Sequence, residues 1–376
     1  MIDSETWSKI RQLRSNPPGQ AKSDKNRRRT FLTSLEQAEQ YFRAANSMGY
    51  ETRPVTLFYG LSQFGRSIAA AAPDTDWKLK GHGIRIPNIG EASSSGKIAN
   101  LLVRNNGSGS FTQLAKILNS PSLEKPVILT RILSSIPEMR EYPIDKTHIP
   151  PLDLSEGYDK VGPSGDFGPA WKIILEGVPS LDASMSDFLA HYPAIWPLQG
   201  RPLSYEQGVC RGHGPGVFYL TPRRKYEMGG FAAIHGTEYR GRNLVFPTLP
   251  GYALNMHPIL TWWASLFSLS MLARYEPVAW ADIVNVDQSM ESVPIERLLS
   301  VATEAVPEIA LAAIGEVAQD PEEKAHTQME LIKSNTRNEY RTFGEIFKES
   351  IAPRVRSTFN KIASNTPRRR EDSTDS

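Results

Sequence analysis

The chain has 376 residues, 40% of them hydrophobic and 22% charged, with a formal net charge of +2. That is ordinary globular usage, and the length exceeds the ~100–200 residues of one domain, so a sizeable core in about two packed units is expected. Cys210 is the only cysteine, which excludes an intrachain disulfide and gives no sign of an oxidising compartment.

The charge is uneven along the chain. Residues 1–30 hold eight Lys or Arg against three Asp or Glu, and residues 351–376 hold six against three, so the body between them is acidic. Basic ends on an acidic body suit mobile arms that reach anionic partners, and solubilising tails give the same pattern. The opening MIDSETWSKIRQLRS is polar and lacks the apolar core of a secretory signal, so a cytoplasmic location is expected.

The first helix is expected at Ser34, where Ser34-Leu35-Glu36-Gln37 has capping-box spacing and Leu35, Ala38, Phe42, Ala45 and Met48 share one face up to Gly49. Pro54 opens a second helix with Leu57, Phe58, Leu61, Phe64 and Ile68 inward, ending at Pro73, so the two form an antiparallel pair. Residues 79–110 read as short strands, Ile84–Ile86 and Ile98–Val103, with hairpin turns at 93–97 and 105–109. Helices are expected again at 111–118 and 127–136.

Residues 137–169 are rich in Pro, Gly and Asp and read as an irregular connection. Residues 170–250 form a β-rich insert, with strands expected at 171–175, 216–221, 230–235 and 243–246. From Pro258 the chain is helical, with first-turn prolines at Pro294, Pro307 and Pro321. The apolar run Ile259–Ala273 carries Ser265, Ser268 and Ser270 and is shorter than the ~20 residues of a membrane span, so it is a core helix and no membrane is expected. The fold class is therefore α+β and predominantly helical. N- and C-terminal helices make a bundle around a β-rich middle insert. Its divisions are a basic segment at 1–30, a helical domain with a short hairpin at 31–136, the connection at 137–169, the insert at 170–250, a helical bundle at 258–350 and a tail at 351–376, disordered after Thr366.

Several segments, in order, carry a likeness to a known family: Pro54-Val55-Thr56-Leu57-Phe58-Tyr59-Gly60, then Gly81-His82-Gly83, then Leu272-Ala273-Arg274-Tyr275-Glu276-Pro277 with Trp280 beyond. Together they resemble the YaaC-like family of bacterial proteins over most of the chain, from about Trp7 to Glu349. The resemblance implies a shared fold and brings no activity with it. The second helix is similar, more faintly, to helices of HEPN-type bundles, whose active members cut RNA with an Arg followed by four to six residues and a His. None of the seven histidines has an Arg at that spacing. Arg140 to His148 is one residue too long. The likeness thus implies a non-catalytic copy.

Candidate chemistry is sparse. Gly90–Lys97 looks like a phosphate loop, but a P-loop has four residues between its glycines and Ser or Thr after its Lys; here there are five, and Ile98 follows. Arg211-Gly212-His213-Gly214-Pro215-Gly216 offers free backbone amides beside an Arg and a His, which suits an anion as well as a tight turn. His82 is flanked by glycines in the same way. Glu322, His326 and Glu330 share a helical face, and Cys210 lies near His213, but neither group is a complete metal or catalytic set, and no metal or other cofactor is expected. Trp262, Trp263, Phe267, Met271 and Tyr275 at helical spacing read as core, with Arg274 suited to the helix C-terminus or to a buried carboxylate. The insert interleaves Arg201, Arg211, Arg223, Arg224, Lys225, Arg240 and Arg242 with Phe218, Tyr219, Tyr226, Phe231 and Tyr239. Single-strand binding surfaces use that mixture, and strands with aromatics inward and Arg outward produce it too.

Two functions are therefore expected in competition. The favoured one is a non-enzymatic binding module that engages nucleic acid or a protein partner through the insert, with Arg223, Arg224, Lys225, Arg240 and Arg242 as contacts. The other is an enzyme acting on a phosphate-bearing substrate such as RNA, with His82, Arg211 and His213 in one cleft.

Overall fold

A computed structural model describes residues 5–74, 76–145, 148–159, 170–176, 188, 190–192, 205–206, 217–220 and 236–319. The chain divides into two compact units, Met1–Gly157 with Trp171–Asp320, and Tyr158–Ala170 with Pro321–Ser376. The architecture below is that of the first. The expectations for 230–235, for the helix from Pro321 with Glu322, His326 and Glu330, and for the tail lie outside the described residues.

The basic N-terminal segment is a docked helix, α1 (Glu5–Ser15). Trp7 and Ile10 are buried, and the Trp7 ring lies 6.0 Å from both Phe42 and Phe64. Its two arginines face carboxylates of the next long helix: Arg11 donates to Glu39 at 2.6 Å, and Arg14 pairs with Glu36. After the short α2 (Gln20–Ser23), α3 runs over Lys25–Ala45, nine residues earlier than the capping box at Ser34 suggests. Asp24 is the true cap and accepts from the amides of Asn26 and Arg27 at 2.7 and 3.0 Å. Ser34 is buried in mid-helix. The cationic run 25–29 hid the helix because its apolar stripe is thin there. Arg27 instead works as a buried strut, donating to the Ala72 carbonyl at 2.6 Å.

α4 (Arg53–Ala71) opens at Pro54 as expected and runs antiparallel to α3. Their closeness has a local cause, since a Cβ on Gly60 would lie 2.7 Å from the Phe42 ring. A Cβ on Gly65 would lie 2.5 Å from the Trp263 ring, so only glycine lets that indole press on the helix.

Beyond α4, β1 (Ile84–Arg85), β2 (Leu102–Asn105) and β3 (Val127–Ile128) form an antiparallel sheet in that order. Two expectations change here. Residues 93–97 do not form a hairpin turn, because α5 (Ile89–Ser95) crosses between β1 and β2. Residues 105–109 lead from β2 into α6 (Ser110–Ile117), not into a paired strand. The helix expected from Val127 begins two residues later as α7 (Leu129–Ser134), after β3, followed by one 3-10 turn at Pro137–Met139.

A second sheet has the order β6-β7-β5-β4-β9-β8. Its strands are β4 (Leu152–Asp159), β5 (Ala170–Glu176), β6 (Tyr205–Glu206), β7 (Val217–Leu220), β8 (Thr237–Tyr239) and β9 (Arg242–Val245). The middle is thus β-rich as expected, although β4 lies inside the supposed irregular connection. β9 pairs it, Leu152 opposite Val245.

The core helix α8 (Pro258–Tyr275) buries nearly every side chain. Its hydroxyls are satisfied internally: Ser265 donates to the Thr261 carbonyl at 2.8 Å and Ser268 to that of Ala264 at 2.7 Å. α9 (Pro277–Val284) follows. α10 (Ser292–Ala318) is then one helix, not the two that Pro294 and Pro307 suggest, with Pro307 in its interior. α10 is long and apolar enough to cross a membrane, but 67% of that apolar window is buried inside the fold, as in a core helix. The fold is α+β and predominantly helical.

Candidate functional site

The three segments that carry the family likeness meet at one surface. His82 lies in the loop after α4, with its ring 5.7 Å from Phe58 of α4 and 5.6 Å from Phe267 of α8. Arg274, at the end of α8, points a terminal nitrogen at the Tyr59 hydroxyl, 3.4 Å away. Arg66 comes from α4. The Tyr59 ring stacks on Tyr41 of α3, with centroids 6.0 Å apart and planes at 26°.

The His82 backbone is held from both sides. Ser110 Oγ donates to the Gly81 carbonyl at 2.6 Å, the Phe111 amide to the His82 carbonyl at 3.0 Å, and the Asn106 amide to the Gly83 carbonyl at 3.0 Å. Gly83 adopts φ 70°, and a Cβ there would lie 2.8 Å from the Gly109 backbone. Left-handed geometry and this close approach both demand glycine. The side chain meanwhile remains exposed. The sequence Gly-His-Gly therefore produces a fixed backbone that presents one imidazole over an aromatic floor.

The electrostatics are one-sided. Burial against the aromatic rings, then the Arg274 and Arg66 charges, hold the His82 imidazole below its ordinary pKa. It is therefore neutral at pH 7. Among the described residues Arg66 bonds only to Ser62 Oγ, at 3.2 Å. Arg274 donates to the Ser270 carbonyl and Met271 Sδ, each at 3.2 Å, and lies over the Tyr275 ring at 5.3 Å. No carboxylate among the described residues pairs with either arginine, so Arg274 does not have the buried partner that its place in an apolar helix suggested. Neither ring nitrogen of His82 has a hydrogen-bond partner among them.

Arg240 and Arg242 are engaged elsewhere. Arg240 donates to Glu138 and Glu308, each at 2.8 Å. Arg242 shares Asp153 with Arg140, at 2.7 and 2.6 Å. Both arginines face carboxylates and staple the β8–β9 hairpin to its surroundings. Arg223, Arg224, Lys225, Arg211, His213 and Cys210 lie outside the described residues.

The remaining motifs carry no site. Residues 89–95 are helical, and the amide of Ile98 donates to the buried Glu291 at 2.8 Å. Backbone donors at the end of the phosphate-loop-like segment are thus consumed internally. Arg140 and His148 are close, but burial holds the His148 imidazole at about 4, and Arg140 is bound to Asp153 and the Pro151 carbonyl. A small cavity lined by Arg131, Ser134, Ile149, His191, Thr248 and Leu249 among others has room for about one water, ≈ 10 Å³. No group of three or more metal-ligating side chains occurs among the described residues.

Sequence reasoning singled out His82 but missed Arg66 and Arg274 as its companions. Their spacing from His82 bears no motif, because three elements supply them. The glycines around His82 and the order of the family-like segments were the only signals available.

The fold and site define a helical α+β protein with a cationic surface around His82 and, among the described residues there, no paired acid and base. The family model described as YaaC-like protein matches residues 4–173 and 204–314, and the chain belongs to that family. No curated protein and no solved structure matches it.

Proposed function

We propose that the chain is a non-enzymatic binding module for a phosphate-bearing partner, with single-stranded nucleic acid as the class that its side chains fit best. One observation carries this. Distant segments bring Arg274 to the Tyr59 hydroxyl and His82 onto Phe58 and Phe267, with the Arg66 charge also acting on His82 and no carboxylate paired to either guanidinium among the described residues. Guanidinium forks match phosphate oxygens in geometry as well as charge. The Tyr59 ring beside Arg274, 37% exposed, suits a base, whose stacking contributes roughly 1–3 kcal/mol. The basic, aromatic composition of the insert supports the same class through Arg223, Arg224 and Lys225, while Arg240 and Arg242 are already neutralised.

The enzyme reading keeps one supporting fact. A neutral imidazole beside two guanidiniums is suited to moving a proton at a phosphodiester. No second acid or base stands beside it among the described residues, which leaves binding as the better reading.

The test is fluorescence polarisation with a labelled oligouridylate of about a dozen nucleotides at low salt. Affinity should fall steeply with added salt, as counterion release requires. Arg66→Ala with Arg274→Ala should weaken binding by about tenfold or more, roughly 1.4 kcal/mol. Unchanged affinity in that double variant would sink the proposal. Fragments formed by the native chain and lost in His82→Ala would move the assignment to the enzyme.

A further inference from the structure

We infer that the outer face of the β1-β2-β3 sheet docks onto the acidic, apolar face of α9 and its exit turn on a second copy of this chain. The contact is separate from the His82 surface and does not depend on what that surface binds.

The pairing of β1 with β2 sets Arg85 directly opposite Arg104. Side chains so placed leave the same face with Cβ atoms about 5 Å apart, and like charges there repel. By two-residue alternation Leu102 shares that face with Arg104, and Leu102 lies opposite Ile128 of β3. The other face, with Ile84, Val103 and Val127, is buried in the core. On the outer face Arg85 and Ile128 are exposed, Ile128 by 43%, while Arg104 and Leu102 are half-buried. Among the described residues no carboxylate pairs with Arg85 or Arg104, and the buried Nε of Arg104 has no hydrogen-bond partner. The sheet thus holds two like charges side by side against their repulsion, next to two apolar side chains that are not fully covered. These four residues include no aromatic ring, so a nucleobase finds nothing to stack on. A surface that offers carboxylates among apolar side chains compensates both features at once.

The same chain carries such a surface. Trp280, Ile283 and Val284 form the buried side of α9, and Trp280 Nε1 donates to the Glu51 carbonyl at 2.9 Å, so Val278 and Asp282 stand on the solvent side. The exit turn is compact. The Asn285 carbonyl accepts from the amides of Gln288 and Ser289 at 3.1 and 2.9 Å, and Ser292 Oγ donates to the Val284 carbonyl at 3.1 Å. Val286, Asp287, Met290 and Val293 are exposed on it, Met290 by 97%. Neither Asp282 nor Asp287 pairs with a cation among the described residues. Two unpaired carboxylates among four exposed apolar side chains complement the two unpaired guanidiniums beside Leu102 and Ile128, in charge and in polarity alike. Two complementary patches at different places on one chain join copies head to tail, or reciprocally in a symmetric dimer.

Sedimentation velocity on the native chain at low salt, from about 1 to 100 μM, should show a mass that rises with concentration, and less so at about 0.5 M salt, where exposed charges are screened. Arg85→Glu with Arg104→Glu should weaken association by about tenfold or more, and so should Asp282→Arg with Asp287→Arg, because each places like charges across the contact. Mixing the two variants should restore it, since the intact carboxylates of one then meet the intact arginines of the other. Arg85→Ala, at an exposed position, should weaken association while leaving the thermal unfolding of the monomer no lower, because it relieves the repulsion. An arginine with a structural role inside its own chain would instead lower that transition. A native chain that stays monomeric throughout overturns the contact, as does association untouched by Arg85→Ala and by either double variant. Folded double variants that remain monomeric when mixed overturn it too. A monomeric native chain whose oligouridylate binding is lost in the Arg85 and Arg104 double variant would assign the sheet face to nucleic acid instead.

Discussion

Arg240 turns at the tip of the β8–β9 hairpin with φ 50°, followed by Gly241 at φ 73°, and Tyr239 pairs with Arg242 across this two-residue loop. Positive φ at both central positions is the turn whose twist matches the strands. That geometry aims the guanidinium at Glu138 and Glu308, while Tyr239 donates to the other oxygen of Glu138 at 2.8 Å and accepts from Trp262 Nε1 at 3.2 Å. The Glu138 side chain is only 11% exposed. Arg240→Ala would leave its charge half-matched, so a loss of about 2 kcal/mol is expected, visible as a lower urea midpoint with an unchanged slope. Arg240→Lys should recover little of it, since an ammonium cannot reproduce the two-sided fork. A midpoint within error of the native chain would show that the pairs contribute nothing net.

Among elements, α1 has the largest gap between appearance and role. Its sequence is polar and basic, yet Trp7, Ile10 and Leu13 recur every three residues and pack onto α3, α4 and the core beyond. The Trp7 ring fills the space between Phe42 and Phe64, themselves 5.5 Å apart. Trp7→Ala should therefore cost about 3–5 kcal/mol, as for other large aromatics removed from cores. Thermal unfolding checks this: an unchanged transition would mean that α1 is not part of the cooperative unit. Burial by one tryptophan and one isoleucine suffices to turn an apparent charged arm into a structural helix.

For the molecule as a whole, acid stability follows from two histidines held in neutral form. Burial keeps His148 at about 4 and lowers His191 as well, with Arg131 adding to both shifts and Arg140 to that of His148. Unfolded, each imidazole titrates near its ordinary value of about 6.5. The unfolded chain therefore binds more protons between those values, so stability is fully present above pH ~6.5 and declines as pH falls towards ~4. Urea midpoints measured at pH ~7.5 and ~4.5 should differ, and His148→Gln should reduce the difference. Equal midpoints in the native chain would contradict the burial of a neutral imidazole at 148.

Local periodicity was enough to reveal α4, α8 and the mostly helical α+β class, because wide apolar stripes repeat at 3.6 residues and prolines mark the openings. It failed where basic residues thinned the stripe, as at α1 and the start of α3, and where Pro307 suggested a break that the packing of α10 overrides. His82 stood out through its glycines. Its neighbours Arg66 and Arg274 did not, since they are 16 and 192 positions away and come together only when α4 and α8 pack across Gly65. Helix patterning is written in neighbouring residues, whereas the surface around His82 draws its side chains from separate elements. That convergence arises from the packing of the helices, and no local spacing encodes it.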